Sequence, residues 1–145
     1  MTELSAPPLR ATRSFSLHTA IRLMSLGQPQ GLETLFASCR DKTVRSFRLT
    51  ATGSAEELAQ VALTEPEQVL WLPDRELLCV AERDSKKEAN SVRVLSVGSN
   101  GSLQQSHTAL SADLQIDINC WCLSKKNVVC CFDDNKKELV ELDVL

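Results

Sequence analysis

The stretch Leu35-Phe-Ala-Ser-Cys-Arg-Asp-Lys-Thr-Val-Arg-Ser-Phe-Arg-Leu49 decides the fold, because two apolar runs flank a short charged turn. Asp41 suits the turn, since aspartate tolerates turn geometry and accepts hydrogen bonds from nearby backbone N–H groups. Alternation along the second run sends Val44 and Ser46 to one face and Phe47 to the other. The stretch therefore predicts a β-hairpin.

The hairpin pattern recurs twice downstream, in residues 77–97 and 128–145. Val44, Val92 and Val140 follow one another at a spacing of about 48 residues. A period of about 40 to 50 residues with four short strands per unit is typical of a propeller blade. The strand count also fits a β-sandwich, but a sandwich does not need repetition. The repeat therefore favours a propeller.

The repeat predicts an all-β fold built from antiparallel four-stranded blades of an incomplete propeller. Residues 1–12 are expected to form a flexible leader, and the blades are expected at 13–65, 66–112 and 113–145, the third lacking its last strand. Three blades cannot close a ring, since propellers have about four to eight. We therefore expect a fragment of a longer chain or one part of a ring. The missing strand could come from Arg13-Ser-Phe-Ser-Leu17.

The secondary structure of residues 55–63 is ambiguous from the sequence. Glu56-Glu-Leu-Ala-Gln-Val-Ala-Leu63 contains strong helix formers, whereas its position in the repeat favours a strand.

Trp71 and Trp121 occupy equivalent positions in their units, which predicts aromatic core residues between sheets.

Residues 38–49 resemble the second hairpin of a WD-repeat blade. Asp41-Lys-Thr-Val-Arg45 matches the turn of that family, whereas Phe47 stands where its tryptophan is commonest and Arg48 where its aspartate would be. The sequence has no Gly-His dipeptide, so the family's His-to-Asp network cannot be carried over. The resemblance implies a divergent WD-like propeller and, by analogy, a protein that binds partners on the ends of its disc.

Composition narrows the class of protein. The 145 residues are 43% hydrophobic and 24% charged, with a net charge of -3. These values are typical of one globular domain and argue against a general nucleic-acid binder, which needs a basic excess. No apolar run approaches the roughly 20 residues of a membrane span, and residues 1–13 lack the apolar core of a signal peptide. A cytoplasmic or nuclear protein without a membrane contact is expected.

Few residues suggest catalysis or metal binding. His18 and His107 are far apart in the sequence, and neither belongs to a nucleophile or zinc motif. The six cysteines lie mostly in apolar runs, which predicts reduced, buried thiols; they are Cys39, Cys79, Cys120, Cys122, Cys130 and Cys131. Zinc is not expected at the last four, because Cys130 and Cys131 point to opposite faces and at most three thiols meet. No catalytic residue, metal or cofactor is therefore predicted.

Basic residues recur in the turns between the second and third strands of each unit. Such turns gather on one end of a propeller, which predicts a partner-binding surface of Arg40, Lys42, Lys86, Lys87, Lys136 and Lys137. The alternative is that these side chains only keep the turns soluble. The predicted function is a non-catalytic scaffold, a subunit of a multiprotein assembly that binds other proteins, a chain that completes the ring or a second copy of itself. The alternative function is binding of nucleic acid or another anionic ligand by the lysine turns, although nucleic acid is an improbable partner for an acidic chain. No enzymatic activity is expected.

Overall fold

The computed structural model describes residues 8–84, 89–105, 112–116, 118–125 and 128–143. Within them the chain folds into β-strands with one 3-10 turn at Pro29–Gly31. The strands are β1 (Ile21–Gly27), β2 (Thr34–Cys39), β3 (Thr43–Leu49), β4 (Ala55–Ala62), β5 (Pro66–Leu72), β6 (Leu77–Asp84), β7 (Ala89–Val97), β8 (Leu103–Gln105), β9 (Ala112–Ile116), β10 (Ile118–Lys125), β11 (Val128–Asp133) and β12 (Glu138–Asp143). No helix among the described residues is long and apolar enough to cross a membrane.

The strands form three antiparallel sheets in chain order. The first sheet is β1-β2-β3-β4, the second is β5-β6-β7-β8 and the third is β10-β11-β12. Strand β9 also pairs with β7, at Asn90 and Val92, whereas β8 pairs with its other end at residues 95–97. The ambiguous segment forms strand β4 and not a helix, because it completes the edge of the first sheet. The all-β, antiparallel blade architecture is confirmed.

The first and second sheets pack face to face through an aromatic core. Phe36 and Val44 of the first sheet are fully buried against Trp71 and Leu78 of the second. The rings of Phe36 and Trp71 are stacked, with centroids 5.2 Å apart and an interplanar angle of 15°. A fully buried side chain of this size contributes about 1.5 to 3 kcal/mol. Trp71 is therefore a core residue, as the repeat predicted.

The second and third sheets pack through a second apolar cluster. Leu72 and Cys79 of the second sheet meet Val129 and Cys131 of the third, and all four are buried. Trp121 packs at the border of this cluster, and its Nε1 donates a hydrogen bond of 3.4 Å to the backbone oxygen of Val69. Both tryptophans thus lie between neighbouring sheets.

The segment before β1 covers the outer face of the first sheet. Leu17 packs against a third apolar cluster that includes Leu35 and Phe47. Arg13 fixes the start of this segment through a hydrogen bond of 2.6 Å from its Nη2 to Oε1 of Glu33. Residues 13–17 therefore lie on the first sheet. The expectation that they supply the last strand of the third unit is wrong, because the half-buried Leu17 packs against the first sheet.

The first hairpin turn is held by its aspartate. Oδ1 of Asp41 accepts a hydrogen bond of 3.2 Å from the backbone N–H of Thr43, and the Thr43 hydroxyl donates to the same oxygen. Arg45 pairs with Oδ2 of Asp41 and, at 2.7 Å, with Oε1 of Glu57. The Asp41 carboxylate therefore shapes the hairpin, as its position in the turn predicted.

Candidate functional site

A polar pocket of about 780 Å³ opens where the first strand of each sheet begins. Residues from all three sheets contribute to its lining. They are Ile21, Arg22, Leu23, Arg40, Glu67, Gln68, Arg83, Ile118 and Asp134. A concave pocket in which a few polar groups converge is the usual form of a small-ligand site.

Topology brings these residues together from distant parts of the chain. In an antiparallel blade, the start of the first strand lies at the same end as the turn between the second and third strands. The backbone N–H of Arg40 donates to the oxygen of Ala20 (2.9 Å), and that of Arg83 donates to the oxygen of Glu65 (2.9 Å). The two arginines thus occupy equivalent positions in successive blades. Asp134 occupies the corresponding turn of the third blade.

Positive charge dominates one side of the pocket opening. Nη1 of Arg22 lies 3.7 Å from Oε1 of Glu65, and Nζ of Lys42 lies 3.7 Å from Oε2 of the same carboxylate. These side chains are 39 to 64% exposed, so each pair contributes at most about 1 kcal/mol. Glu65 therefore restrains the two cations weakly. A negatively charged ligand would therefore displace Glu65 from Arg22 at a small cost in free energy.

Buried amide side chains link the second and third sheets beside the pocket, and one of them, Gln68, lines it. Nε2 of Gln68 donates to the backbone oxygen of Ile118 (3.1 Å), and the N–H of Ile118 donates to Oδ1 of Asn90 (2.7 Å). Nδ2 of Asn90 in turn donates to the backbone oxygen of Glu82 (3.3 Å). Buried polar groups satisfied in this way fix one arrangement of the surrounding backbone. These hydrogen bonds thereby fix the position of the third sheet relative to the second beside the pocket.

Two carboxylates join the arginines in the lining. Glu67 lies half-buried on β5, and Asp134 lies half-buried in the turn after β11. Oδ1 of Asp134 accepts a hydrogen bond of 3.0 Å from Nζ of Lys137, which is 72% exposed. The pocket therefore presents groups that accept protons beside groups that stabilise negative charge.

The predicted basic surface is only partly described. Arg40 lines the pocket, Lys42 lies beside Glu65, Lys136 is exposed and Lys137 pairs with Asp134. Lys86 and Lys87 lie outside the described residues. The first and third turns do lie at one end of the chain's sheets. Binding of a partner by these residues remains a prediction.

Sequence reasoning missed the residues that surround Arg40 in the pocket. Arg22, Glu67 and Gln68 lie on β1 and β5, the first or inner strands of the first and second sheets, whose sequences carry no recognisable motif. One signal was available: Arg83 and Arg40 both stand directly before a turn aspartate in their repeats. That recurrence points to the same end of two blades.

The six cysteines differ in how far their side chains are exposed, and Cys130 is intermediate. Cys39, Cys79 and Cys131 are buried, and burial raises the pKa of the Cys79 thiol to about 12 and that of Cys131 to about 11. Cys120 and Cys122 are exposed. The prediction of buried thiols is wrong for these two, because they face away from the cluster that covers Cys131. Within the described residues no three His, Cys, Asp or Glu side chains are placed to hold a metal ion.

His18, the histidine that the structure describes, gives no indication of a catalytic site. His18 lies beside a smaller cavity of about 270 Å³ between the leading segment and the first sheet, near Arg45 and Phe47. His107 lies outside the described residues.

Solved structures share the fold at low sequence identity. A periplasmic gluconolactonase from Pseudomonas aeruginosa superposes with a TM-score of 0.58 and 19% identity, over 84% of this chain and 39% of that one. A protein from Lactobacillus plantarum superposes with a TM-score of 0.52 and 15% identity, over 86% of this chain and 41% of that one. This chain thus spans about two fifths of each. No protein-family model and no curated protein matches the sequence significantly.

These comparisons confirm a propeller-like fold and correct the predicted function. The expected role was a non-catalytic scaffold, with binding through lysine turns as the alternative and without enzymatic activity. That expectation is contradicted, because a solved structure with this fold is an enzyme. The sequence contains no local motif for such a site, because the residues that line the pocket come from three separate sheets.

Proposed function

We propose that the chain forms part of a propeller enzyme that hydrolyses a small cyclic ester at the pocket between its inner strands. The observation that carries the proposal is the convergence of Arg22, Arg40 and Arg83 with two carboxylates in one cleft. The gluconolactonase with the same fold supports the reaction class. Fold alone does not determine function, so the residues of the pocket carry the proposal.

The arginines suit both the transition state and the product of this reaction. Attack of water on the acyl carbon places negative charge on the carbonyl oxygen, and cleavage of the ring C–O bond then yields a hydroxy acid. Guanidinium groups stabilise such an oxyanion and bind a carboxylate in a bidentate manner. The backbone N–H bonds of Arg40 and Arg83 hold the two residues at equivalent positions in their sheets, and both residues line the same cleft.

Glu67 is the residue we assign to proton transfer. A general base must lie within hydrogen-bond reach of the attacking water and be ionised near neutral pH. Glu67 lies half-buried on the inner strand β5, whereas Asp134 is already occupied by Lys137 at 3.0 Å. Glu67 would take a proton from water, and the released ring oxygen would receive one in return. The net result is one lactone and one water converted to one hydroxy acid.

We further infer that additional blades complete the ring, supplied by a longer chain, another protein or a second copy. The gluconolactonase and the Lactobacillus plantarum protein are each more than twice the length matched here. The finer kinship with WD-repeat blades is also an inference, supported by the Asp41, Thr43 and Arg45 hydrogen bonds of the first hairpin. The free state of the six cysteines supports a location in the cytoplasm or nucleus.

Hydrolysis of gluconolactone by the purified chain tests the proposal. Proton release, followed with a pH indicator, should exceed the uncatalysed rate. Glu67→Gln should lower kcat by about 100-fold, and Arg40→Gln should lower kcat/KM by roughly 100-fold. Glu56→Gln and Arg10→Gln make the same chemical changes at exposed positions away from the pocket and should have no effect.

Two outcomes would contradict the proposal. One is a rate equal to the uncatalysed rate together with no binding of gluconate in calorimetry. The other is a catalysed rate that Glu67→Gln and Arg40→Gln leave unchanged, because the activity would then reside elsewhere.

A further inference from the structure

Among the described residues, the apolar clusters cover only one face of the third sheet. Residues alternate along its strands, so Val129 and Cys131 face the second sheet while Cys122 and Cys130 face the other way. Cys122 is exposed and Cys130 is half-buried. Leu139, on the neighbouring strand β12, is 72% exposed on the same side. This face therefore carries the two thiols beside the apolar Leu139 and the carboxylate of Glu141, the cross-strand partner of Cys130.

Cys122 and Cys130 are direct cross-strand partners in the β10–β11 ladder. Opposed residues of an antiparallel pair have Cα atoms about 4.5 or 5.5 Å apart, according to the type of pair. Both values fall within the range of about 4.4 to 6.8 Å found for disulfides. Side chains of such a pair leave the sheet on the same face. The backbone thus already holds the two thiols where one bond can join them.

The two thiols differ in exposure, which sets their order of reaction. Burial, with neighbouring Cys122 and then Glu141, raises the pKa of the Cys130 thiol. Less of Cys130 is therefore present as the reactive thiolate at neutral pH. Cys122 is exposed at the surface of the same face, so a reagent reaches it first.

We propose that Cys122 and Cys130 form a thiol–disulfide exchange site for small disulfides of the glutathione class. The Cys122 thiolate attacks glutathione disulfide, forms a mixed disulfide and releases one glutathione thiolate. The Cys130 sulfur then attacks Cys122, loses its proton and releases the second glutathione. The protein loses two hydrogens, and one glutathione disulfide becomes two glutathione molecules.

A disulfide at this position would be easily reversed. Exposed or strained disulfides have higher reduction potentials than buried structural ones. Excess reduced glutathione should therefore restore both thiols. Blades packed on this face would shield the pair, so oxidation would mark chains in which the face is open.

Mass spectrometry of the full 145-residue chain tests the site. The reduced protein is incubated with glutathione disulfide, quenched with acid, alkylated and digested with trypsin. Cleavage after Lys125 separates Cys122 from Cys130, so a bond between them appears as two linked peptides. Fragment ions separate Cys130 from Cys131 and Cys120 from Cys122.

The variants distinguish exchange at this pair from general thiol oxidation. In Cys130→Ser, a single glutathione adduct should accumulate on Cys122, because the second step is impossible. In Cys122→Ser, the linked peptides should disappear. Cys120→Ser removes another exposed thiol of the same strand and should leave the linkage intact. A linkage that survives Cys122→Ser, stable adducts on the unaltered chain without any linkage, or no oxidation at all would each overturn the proposal.

Discussion

Gly27 lies against the indole of Trp71 so closely that no other residue fits at that position. A Cβ atom on Gly27 would stand 2.5 Å from both Cδ1 and Cγ of Trp71. The indole has little room to move, because it is buried and stacked on the ring of Phe36. The end of strand β1 thus approaches the second sheet through backbone alone.

Replacing Gly27 with alanine should destabilise the contact between the first and second sheets. Overpacking of a filled core costs about 1 to 3 kcal/mol, which urea denaturation would measure. Trp71→Leu removes the ring and leaves a cavity of its own, so Gly27→Ala should cost little in that background. Additive losses in the double variant would contradict the close contact, since coupled neighbours are not additive.

Asn90→Ala should destabilise the junction between the second and third sheets by about 1 to 3 kcal/mol, because it leaves a buried N–H without its partner. The affected group is the N–H of Ile118, which Asn90 accepts at 2.7 Å. Gln104→Ala removes a similar amide from an exposed position on β8 and serves as the control. Equal losses in the two variants would show that the buried amide has no special role.

Stability should fall in acid partly through Asp41. Hydrogen bonds from Thr43 and then Arg45 lower the pKa of this carboxyl below its ordinary value of 3.8. A lowered folded pKa stabilises the protein above the unfolded pKa, and the contribution is lost as the pH falls through the folded pKa. The difference in stability between the unaltered chain and Asp41→Asn should therefore shrink below about pH 3.8. A constant difference down to the lowest pH would contradict the pairing; Glu56→Gln controls for loss of a carboxylate.

The strands were predictable from the sequence, because alternation of apolar and polar residues is local. Val44 and Phe47 belong to different apolar clusters on opposite faces of the first sheet, as expected for residues three positions apart in a strand. The ambiguous segment, residues 55–63, forms strand β4 because it pairs with β3 along its length. A local helix preference of this kind is smaller than the gain from completing a sheet.

The pocket was not predictable in the same way. Its lining joins Arg22, Glu67 and Ile118, which are far apart in the sequence and belong to different blades. Periodicity also indicates which residues share a face but not which face is covered. Cys122 was therefore placed in a core that lies on the opposite side of its strand.

The extent to which each cysteine is alkylated should follow the exposure of its side chain. The Cys79 thiol, with its pKa raised to about 12 by burial, should resist alkylation by iodoacetamide at pH 8 in the folded chain. Cys122 should react within the same incubation. Peptide mapping after denaturation gives the extent at each site. Equal labelling of Cys79 and Cys122 would contradict the described packing.

The pocket at the start of the first strand of each sheet should receive a small anionic product of lactone hydrolysis. Two-dimensional NMR of the nitrogen-15-labelled chain, titrated with gluconate, measures this binding residue by residue. We expect shifts of the backbone N–H signals of Leu23, Arg40, Gln68 and Ile118, and loss of those shifts in Arg40→Gln. Shifts confined to the cavity beside Gly27 and Trp71, or no shifts at any concentration, would contradict this expectation.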